Sequence, residues 1–568
     1  MPDPTRHTRT SGTLGAMTAL LPRWSEWKPA FRAPGADLLA GLVVALVALP
    51  LALGFGVSTG LGAAAGLTTA IVAGVVAAVF GGSRFQISGP TGAMTVVLVP
   101  IVAEYGPTGV LAVGLMAGVV LLVLAVAGIG RAVRYMPAPV IEGFTAGIAV
   151  VIALQQIPAA LGITDARGEK VWQSAFDAAR SFVSHASVLS PAVALAVAVV
   201  MLVGGRLVPK IPFSLVAVAA ATVATRLFDL DIARIGAIPS SLSVPTLSFL
   251  HLGDLTTLVA PAFAVAALAA LESLLSATAA DSMGVGARHN PDRELFGQGL
   301  ANIAAPLFGG VPATGAIART AVNVRSGART RLAALTHALI LAAIMYAAAG
   351  LVADIPLAAL AGVLLATTVR MVETASIRAI TRASGADTAV MAATFLVTVV
   401  FDLVTAVAVG VGFAAVLALR AIARSATVEQ VPLDALDAVS AEEGELLRQH
   451  IVAYRIDGAL FFGAAHSFLL ELADVSDVQV VILRMSRVST IDATGAIVLE
   501  DAISELEHRG ITVLISGAKP EHLRPLTALG VFATGGDDVR RSFDTTPQAI
   551  AYARTLVADV DLDPRVGS

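Results

Sequence analysis

Glu272 is the ionisable residue that this chain buries most deeply in apolar sequence, within Ala266–Ala280 and far from either end of that stretch. Ser273 and Ser276 follow it. Ser276 lies one helical turn on and shares its face. A carboxylate and a hydroxyl at this spacing can hold a proton or a sodium ion. The competing use is a structural hydrogen bond to a neighbouring helix, and the cost of charge at membrane depth favours the ion. Arg319 is the second such residue, about one turn beyond a segment interrupted by Gly and Pro.

That segment has a counterpart. One copy reads Phe80-Gly81-Gly82, then Ser88-Gly89-Pro90-Thr91-Gly92-Ala93; the other reads Phe308-Gly309-Gly310, then Pro312-Ala313-Thr314-Gly315-Ala316. Gly and Pro stop a helix from filling a bilayer, and unsatisfied backbone cannot face lipid, although it can line a buried cavity. Two half-helices meeting near the midplane would aim free N–H groups and positive dipole ends at one point, which attracts an anion. Glycines that merely let helices pack closely are the other reading. Recurrence at corresponding positions favours the binding site. A cation beside two positive helix ends needs an anion to join it, which makes Arg319 the leading candidate for contact with that anion.

The elements that must position these residues are membrane spans. The 568 residues are 56% hydrophobic and 14% charged, with a mean hydropathy of +0.83, whereas soluble domains carry ~25% charge. A spanning helix needs ~20 apolar residues. Spans are expected near 37–56, 61–80, 108–130, 138–157, 190–205, 211–228, 256–280, 295–308, 332–352, 356–372, 385–401 and 403–423. Shorter pieces at 91–104 and 312–323 bring the count to about fourteen. With the N-terminus inside, the inner loops collect Arg84, Arg131, Arg134, Arg206, Lys210, Arg288, Arg293, Arg325, Arg329, Arg331, Arg370, Arg378, Arg382, Arg420 and Arg424. Outside, basic residues fall only in two long loops, at Arg167, Lys170 and Arg180, and at Arg226 and Arg234. Both ends of the membrane part are thus expected in the cytosol, in a multi-pass protein of the inner membrane surrounded by lipid. The short pieces are the third and tenth segments, an odd number apart, so the two halves run in opposite orientations, as inverted repeats do.

Other ionisable groups read as boundary residues: Glu142 early in its span, and Asp281, Asp354, Asp387 and Asp402 near span ends. There is no cysteine, and the nine histidines show no ligand spacing, which argues against metal or iron–sulfur chemistry. No Gly-x-x-x-x-Gly-Lys phosphate loop and no credible catalytic triad is present. The reading is therefore of a protein that is not an enzyme, with no cofactor and no nucleic-acid partner. Residues 1–36 form a basic cytosolic arm. Trp24, Trp27 and Phe31 beside Lys28 suit an interfacial anchor, and equally an ordinary amphipathic turn.

At these residues the chain resembles the SulP anion permeases, bacterial relatives of the solute carrier 26 proteins. The resemblance rests on Asp37-x-x-Ala40-Gly41, Leu49-Pro50-Leu51-Ala52-Leu53-Gly54-Phe55, Ser88-Gly89-Pro90-Thr91, and Leu295-x-Gly297-Gln298-Gly299-x-x-Asn302 running on to Ala318-Arg319-Thr320. It implies seven-plus-seven inverted repeats divided into core and gate domains, with elevator-like alternating access. It places the anion site between the third and tenth segments, with contacts at Phe55, Thr91, Ala318 and Arg319; Gly92, Thr314 and Gly315 line the same half-helix entries. Bicarbonate-type members bind sodium with an acid and a hydroxyl four residues on, which Glu272 and Ser276 match. Glu in place of the shorter Asp leaves H+ and Na+ both open. Leu51 stands where many sulfate-type members have Gln, which turns the expectation to bicarbonate or a dicarboxylate, with sulfate as the alternative.

The transport region is expected over 37–424, with a polar, acidic linker over 425–448. A small α/β domain over 449–556 and a tail over 557–568 follow. Ile451–Arg455, Val480–Leu483 and Ile511–Ile515 read as strands, and Ser467–Ala473 and Ile497–Glu507 as helices. Ile491-Asp492-Ala493-Thr494-Gly495 resembles the phosphoacceptor turn of the STAS fold, with Thr494 at the modified position; a plain helix N-cap by Asp492 or Thr494 is the favoured reading. As a whole, the domain is expected to be a regulatory or dimer-forming module, giving a homodimer. Three functions compete: a coupled secondary transporter of a small anion, an uncoupled exchanger or channel on the same scaffold, and a signalling protein whose membrane part is only an anchor. An anchor would need neither paired half-helices nor Glu272.

Overall fold

The computed structural model describes residues 20–131, 136–163, 170–184, 187–208, 211–251, 253, 255–283, 288–401, 403–425, 427–431, 450–460, 478–529, 531 and 542–561. The expected helix at 467–473, most of the acidic linker and the end of the tail lie outside them. Two compact units divide the chain, Met1–Gly412 and Phe413–Ser568.

The first unit is helical. Its first half holds α1 (Pro34–Ser58), α2 (Ala63–Phe80), the two-residue strand β1 (Ser88–Gly89), α3 (Gly92–Val126), α4 (Ala138–Leu161), α5 (Val171–Ser184), α6 (Leu189–Leu207) and α7 (Phe213–Leu227). The second half repeats the plan with α8 (Leu255–Met283), α9 (Pro291–Leu307), β2 (Thr314–Gly315), α10 (Ile317–Arg325), α11 (Leu332–Ala353), α12 (Leu357–Met371), α13 (Thr374–Ala383), α14 (Gly385–Val400) and α15 (Leu403–Ser425), the last continuing into the second unit. The expected spans and both short segments are present. The break expected near 105–107 is a kink inside α3 at Gly106, whose φ of 69° only glycine adopts readily, with Pro107 next. Two amphipathic helices, α5 and α13, were not anticipated, because they are too short and too polar to register as spans.

Buried side chains form two main clusters. Leu98, Val110, Leu121, Val265 and Leu274 join α3 to α8, and Leu53, Leu67, Leu341 and Leu364 join α1, α2, α11 and α12. The outer faces keep large apolar residues exposed, Val123, Leu195 and Leu396 among them, as helices facing lipid must. Small residues let backbones touch. A methyl built on Gly56 of α1 would lie 2.7 Å from the Gly66 N atom of α2. At the expected span boundary, Asp37 is buried and accepts from the Arg329 and Thr330 backbone N–H groups at 2.6 and 3.0 Å. It therefore ties the start of α1 to the entrance of α11. Asp354 pairs with Arg226 at 3.2 Å and Arg234 at 3.6 Å, so these two basic residues of a long loop have a local partner.

Ahead of α1, Trp24–Glu26 forms a tight turn and Lys28–Arg32 a short helix. Glu26 takes hydrogen bonds from both terminal nitrogens of Arg293 and lies 3.2 Å from Arg331 Nε. Burial raises the Glu26 carboxyl; the bond from Arg293 and the charges of Arg331, Arg293 and Arg84 outweigh it and hold the group below the usual carboxylate range.

In the second unit, the sheet order is β3 (Thr427–Val431), β4 (Ile451–Leu460), β5 (Val480–Arg484), β7 (Thr512–Ser516), β8 (Ser542–Phe543), with β6 (Val488–Ile491) pairing β4. Only the β3–β4 pairing is antiparallel. Helices α16 (Ala493–His508), α17 (Pro520–Ala528) and α18 (Thr546–Asp561) complete it. Leu483, Leu499 and Val513 pack on one face of the sheet, and Ile482, Leu514 and Ala553 on the other, as a parallel sheet requires.

Two outcomes follow from this packing. Gly66→Leu forces α1 and α2 apart and lowers stability by roughly 1–3 kcal/mol or more, whereas Gly35→Leu, with nothing near its Cβ, leaves the thermal unfolding midpoint in detergent unchanged. For Glu26, a lowered folded pKa means that docking of the arm is fully stabilised above the ordinary carboxylate range and loses that support as pH falls through the lowered value. The chain has three tryptophans, so Trp172→Phe leaves Trp24 and Trp27 as reporters. Their emission should shift only at acid pH, and already at neutral pH in Glu26→Gln.

Candidate functional site

The two short strands meet. Ser88 pairs with Gly315 and Gly89 with Thr314, antiparallel, and each strand leads directly into a helix, α3 or α10. The first-turn N–H groups of these helices have no intrahelical acceptor. Thr91 caps α3 and accepts from the Met94 N–H at 3.3 Å. Ile317 and Ala318 open α10 and are exposed.

Polar side chains from neighbouring helices satisfy the unwound backbone. Asn302 of α9 donates to the Ala313 carbonyl at 2.9 Å and accepts from its N–H at 2.8 Å. Gln298, one turn earlier, donates to Ser88 Oγ at 2.7 Å. Thr69 Oγ1 donates to the Val311 carbonyl at 2.9 Å. Asn323 donates to the Phe85 carbonyl at 2.8 Å, and the Ile87 N–H donates to Thr320 Oγ1 at 3.0 Å. Ser273 Oγ accepts from the Gly315 N–H at 2.9 Å.

Glu272 joins the two half-helix entries. Its Oε2 accepts from Thr91 Oγ1 at 2.8 Å and from Thr314 Oγ1 at 2.6 Å, and the two hydroxyls lie 3.2 Å apart. Ser276 does not bond Glu272; it donates to Thr320 Oγ1 at 3.1 Å. The acid and its neighbouring hydroxyls therefore engage different points of the same crossing. Arg319 is 2% exposed. Its Nη2 donates to the Pro90 carbonyl at 2.5 Å, and Nη1 has no hydrogen-bond partner. Gly89 makes room for it: a methyl there would lie 2.9 Å from Nη1. The Phe55 ring closes the other side of the α3 entry, with Cε1 3.2 Å from where a methyl on Gly92 would stand.

Phe55, Thr91, Gly92, Thr314, Gly315, Arg319 and Glu272 thus converge on one crossing, with Ala318 at its exposed edge. Spacing in the sequence gives no task in this crossing to Thr69, Ser273, Gln298, Asn302, Thr320 or Asn323. A signal existed for two of them: buried amides at i and i+4 in an apolar helix need buried partners. In the second unit, Asp492 caps α16 by accepting from the Gly495 N–H at 2.7 Å, and Thr494 is exposed on its first turn.

Comparison with known proteins now decides the family. The Sulfate permease family model matches residues 35–394, and the STAS domain model residues 447–546. This chain belongs to the sulfate permease family. It is 35% identical over 506 residues to YvdB of Bacillus subtilis (strain 168), which carries a provisional sulfate-transporter name, covering 87% of this chain and 94% of YvdB. It is 32% identical over 519 residues to the bicarbonate transporter BicA of Synechocystis, covering 88% and 91%. The solved murine Solute Carrier 26 family member A9 anion transporter has the same fold, with a TM-score of 0.82 at 18% identity, covering 97% of each chain. The chain is therefore a multi-pass anion transporter with a C-terminal STAS domain, not an enzyme.

Asn302→Leu should leave the Ala313 amide and carbonyl without partners. The expected loss is on the order of 2–4 kcal/mol, read as a lower unfolding midpoint accompanied by weaker anion binding.

Proposed function

We propose that this permease is a secondary active carrier of bicarbonate or a small dicarboxylate, coupled to H+ or Na+ through Glu272 and moving by elevator-like alternating access. The supporting observation is the shared bond of Glu272 Oε2 to Thr91 and Thr314 beside the buried Arg319. An anion drawn to the half-helix N-termini meets the field of Glu272. At ~6 Å and an effective dielectric near 20, two like charges repel by roughly 3 kcal/mol, or about a hundredfold in affinity. A proton on Glu272 removes that penalty. A sodium ion among the oxygens of Glu272, Thr91 and Thr314 offsets it. Linkage then makes the effect reciprocal, so the anion raises affinity for the cation by the same factor.

Phe55, Thr91, Gly92, Thr314, Gly315, Ala318 and Arg319 are the proposed substrate contacts, and Glu272 with Ser276 the proposed coupling-ion residues. The apolar Leu51 in α1 and the BicA relationship favour bicarbonate or a dicarboxylate. Sulfate is the alternative, favoured by the name that YvdB carries. An uncoupled exchanger or channel on this scaffold is the other. We further place the protein in the inner membrane, with both termini cytoplasmic, as a homodimer whose STAS domain is regulatory.

Uptake into proteoliposomes tests this. Labelled bicarbonate, succinate, fumarate and sulfate are compared with and without an imposed pH or sodium gradient. One of the carboxylates or bicarbonate should accumulate with a gradient, and Glu272→Gln should abolish the gradient's effect. Arg319→Ala should weaken substrate affinity at least about tenfold, as the loss of a charged contact does. Gradient-independent uptake, unchanged in Glu272→Gln, would refute coupling.

A further inference from the structure

A cavity of ≈250 Å³ lies at another place in the first unit, lined by Arg23, Glu26, Arg84, Arg288, Arg293 and Arg331, with Asp281 and His289 at its wall. It shares Phe85 with the surroundings of the β1–β2 crossing, but none of the proposed substrate or coupling residues lines it. Five guanidinium groups face two carboxylates. Glu26 is shared by Arg293 and Arg331, and Asp281 is taken by His289, 2.7 Å from its Nδ1. Arg23, Arg84 and Arg288 are exposed and make no ion pair among the described residues. Arg331 is 3% exposed, and its Nε, although ion-paired with Glu26 at 3.2 Å, has no hydrogen-bond partner. Nearby Glu294 adds a third negative charge within reach of Arg331 but does not line the cavity, since its oxygens accept from the Gly82 and Ser83 N–H groups and from Gln298, and five guanidinium groups still outnumber three carboxylates.

A bias of basic residues toward the cytosolic side accounts for arginines at span ends, but not for their convergence on one concave site with a buried donor unused. The forked donors of arginine match the oxygens of a phosphate group in pairs. We infer that this cavity is a second anion site, for a phosphate-bearing multivalent anion, built jointly by the N-terminal arm, the segment after α2 and the α8–α9 connection. The phosphate group can come from a soluble compound or from a lipid headgroup, since the cavity stands at the end of membrane-spanning helices.

Inorganic pyrophosphate is the probe. It is titrated by calorimetry against delipidated full-length protein, alongside Arg84→Gln/Arg288→Gln and Arg319→Ala. Arg84 and Arg288 are exposed and form no ion pair among the described residues, so replacing them removes charge from the cavity without breaking one. Pyrophosphate should bind the natural protein and Arg319→Ala alike, and bind the double variant at least about tenfold more weakly. In nanodiscs containing phosphatidic acid, native mass spectrometry separates the sources. A lipid that is retained by the natural protein, lost from the double variant and displaced by pyrophosphate identifies a headgroup; pyrophosphate binding without lipid displacement identifies a soluble anion. Equal pyrophosphate affinity in the natural protein and the double variant would overturn the proposal. So would its loss in Arg319→Ala with retention in the double variant, or no binding of either probe.

Discussion

Backbone amides and carbonyls in a hydrocarbon layer need partners within the protein, and the crossing of β1 and β2 takes two stretches of chain out of helical bonding. Two residues per strand supply a pairing, but the flanking groups are left over. Asn302, Thr320, Asn323, Ser273 and Thr69 provide for them from four directions in the fold, and Gln298 holds the Ser88 hydroxyl. Each of these side chains would be costly in an apolar helix without its partner. The crossing and its polar ring therefore stabilise each other.

Space is the second condition. Gly89 leaves room for the Arg319 guanidinium, Gly92 for the Phe55 ring and Gly315 for the Gln86 amide. A side chain at Gly89 or Gly315 would push apart groups from opposite halves of the chain, and one at Gly92 would meet Ile152 of α4 as well as Phe55. Close approach is what lets Thr91 and Thr314, 223 positions apart, lie within 3.2 Å and share one carboxylate oxygen. Gly106 acts differently, since its positive φ turns the half-helix of α3 into a full span without an intervening loop.

Much of this was legible in the sequence, for identifiable reasons. The spans follow from apolar run length, and the crossing from a Gly-Pro segment that recurs at an odd interval. What the sequence concealed is partner choice. Ser276 has the helical spacing to meet Glu272, yet bonds Thr320, because α10 packs against that face of α8 while Glu272 reaches the strands. Periodicity says which residues share a face; it does not say what arrives from 40 or 200 positions away. Asp37 reads as a span boundary for the same reason, and its bonds to Arg329 and Thr330 appear only once α11 is in place. Helices α5 and α13 were missed because amphipathic pieces of this length resemble polar loops in an apolar chain.

Charge balance links the crossing to transport. Arg319 and Glu272 are the charged groups hydrogen-bonded at this point among the described residues, and each is tied to the other repeat's entry: the arginine to the Pro90 carbonyl, the carboxylate to both threonines. As a pair they carry no net charge, which is the least costly state for a site passing through a low-dielectric layer. An anion alone would leave the site negative, and a cation alone would leave it positive. For a monovalent anion and one monovalent cation only both or neither restores neutrality, and a dianion needs two cations, so on the proposed reading the states able to cross are the empty and the fully charge-compensated ones. Coupling then needs no separate gate that senses the cation. On that reading coupling follows from one guanidinium and one carboxylate placed where two half-helices meet, in a body that the proposed elevator motion carries through a low-dielectric layer.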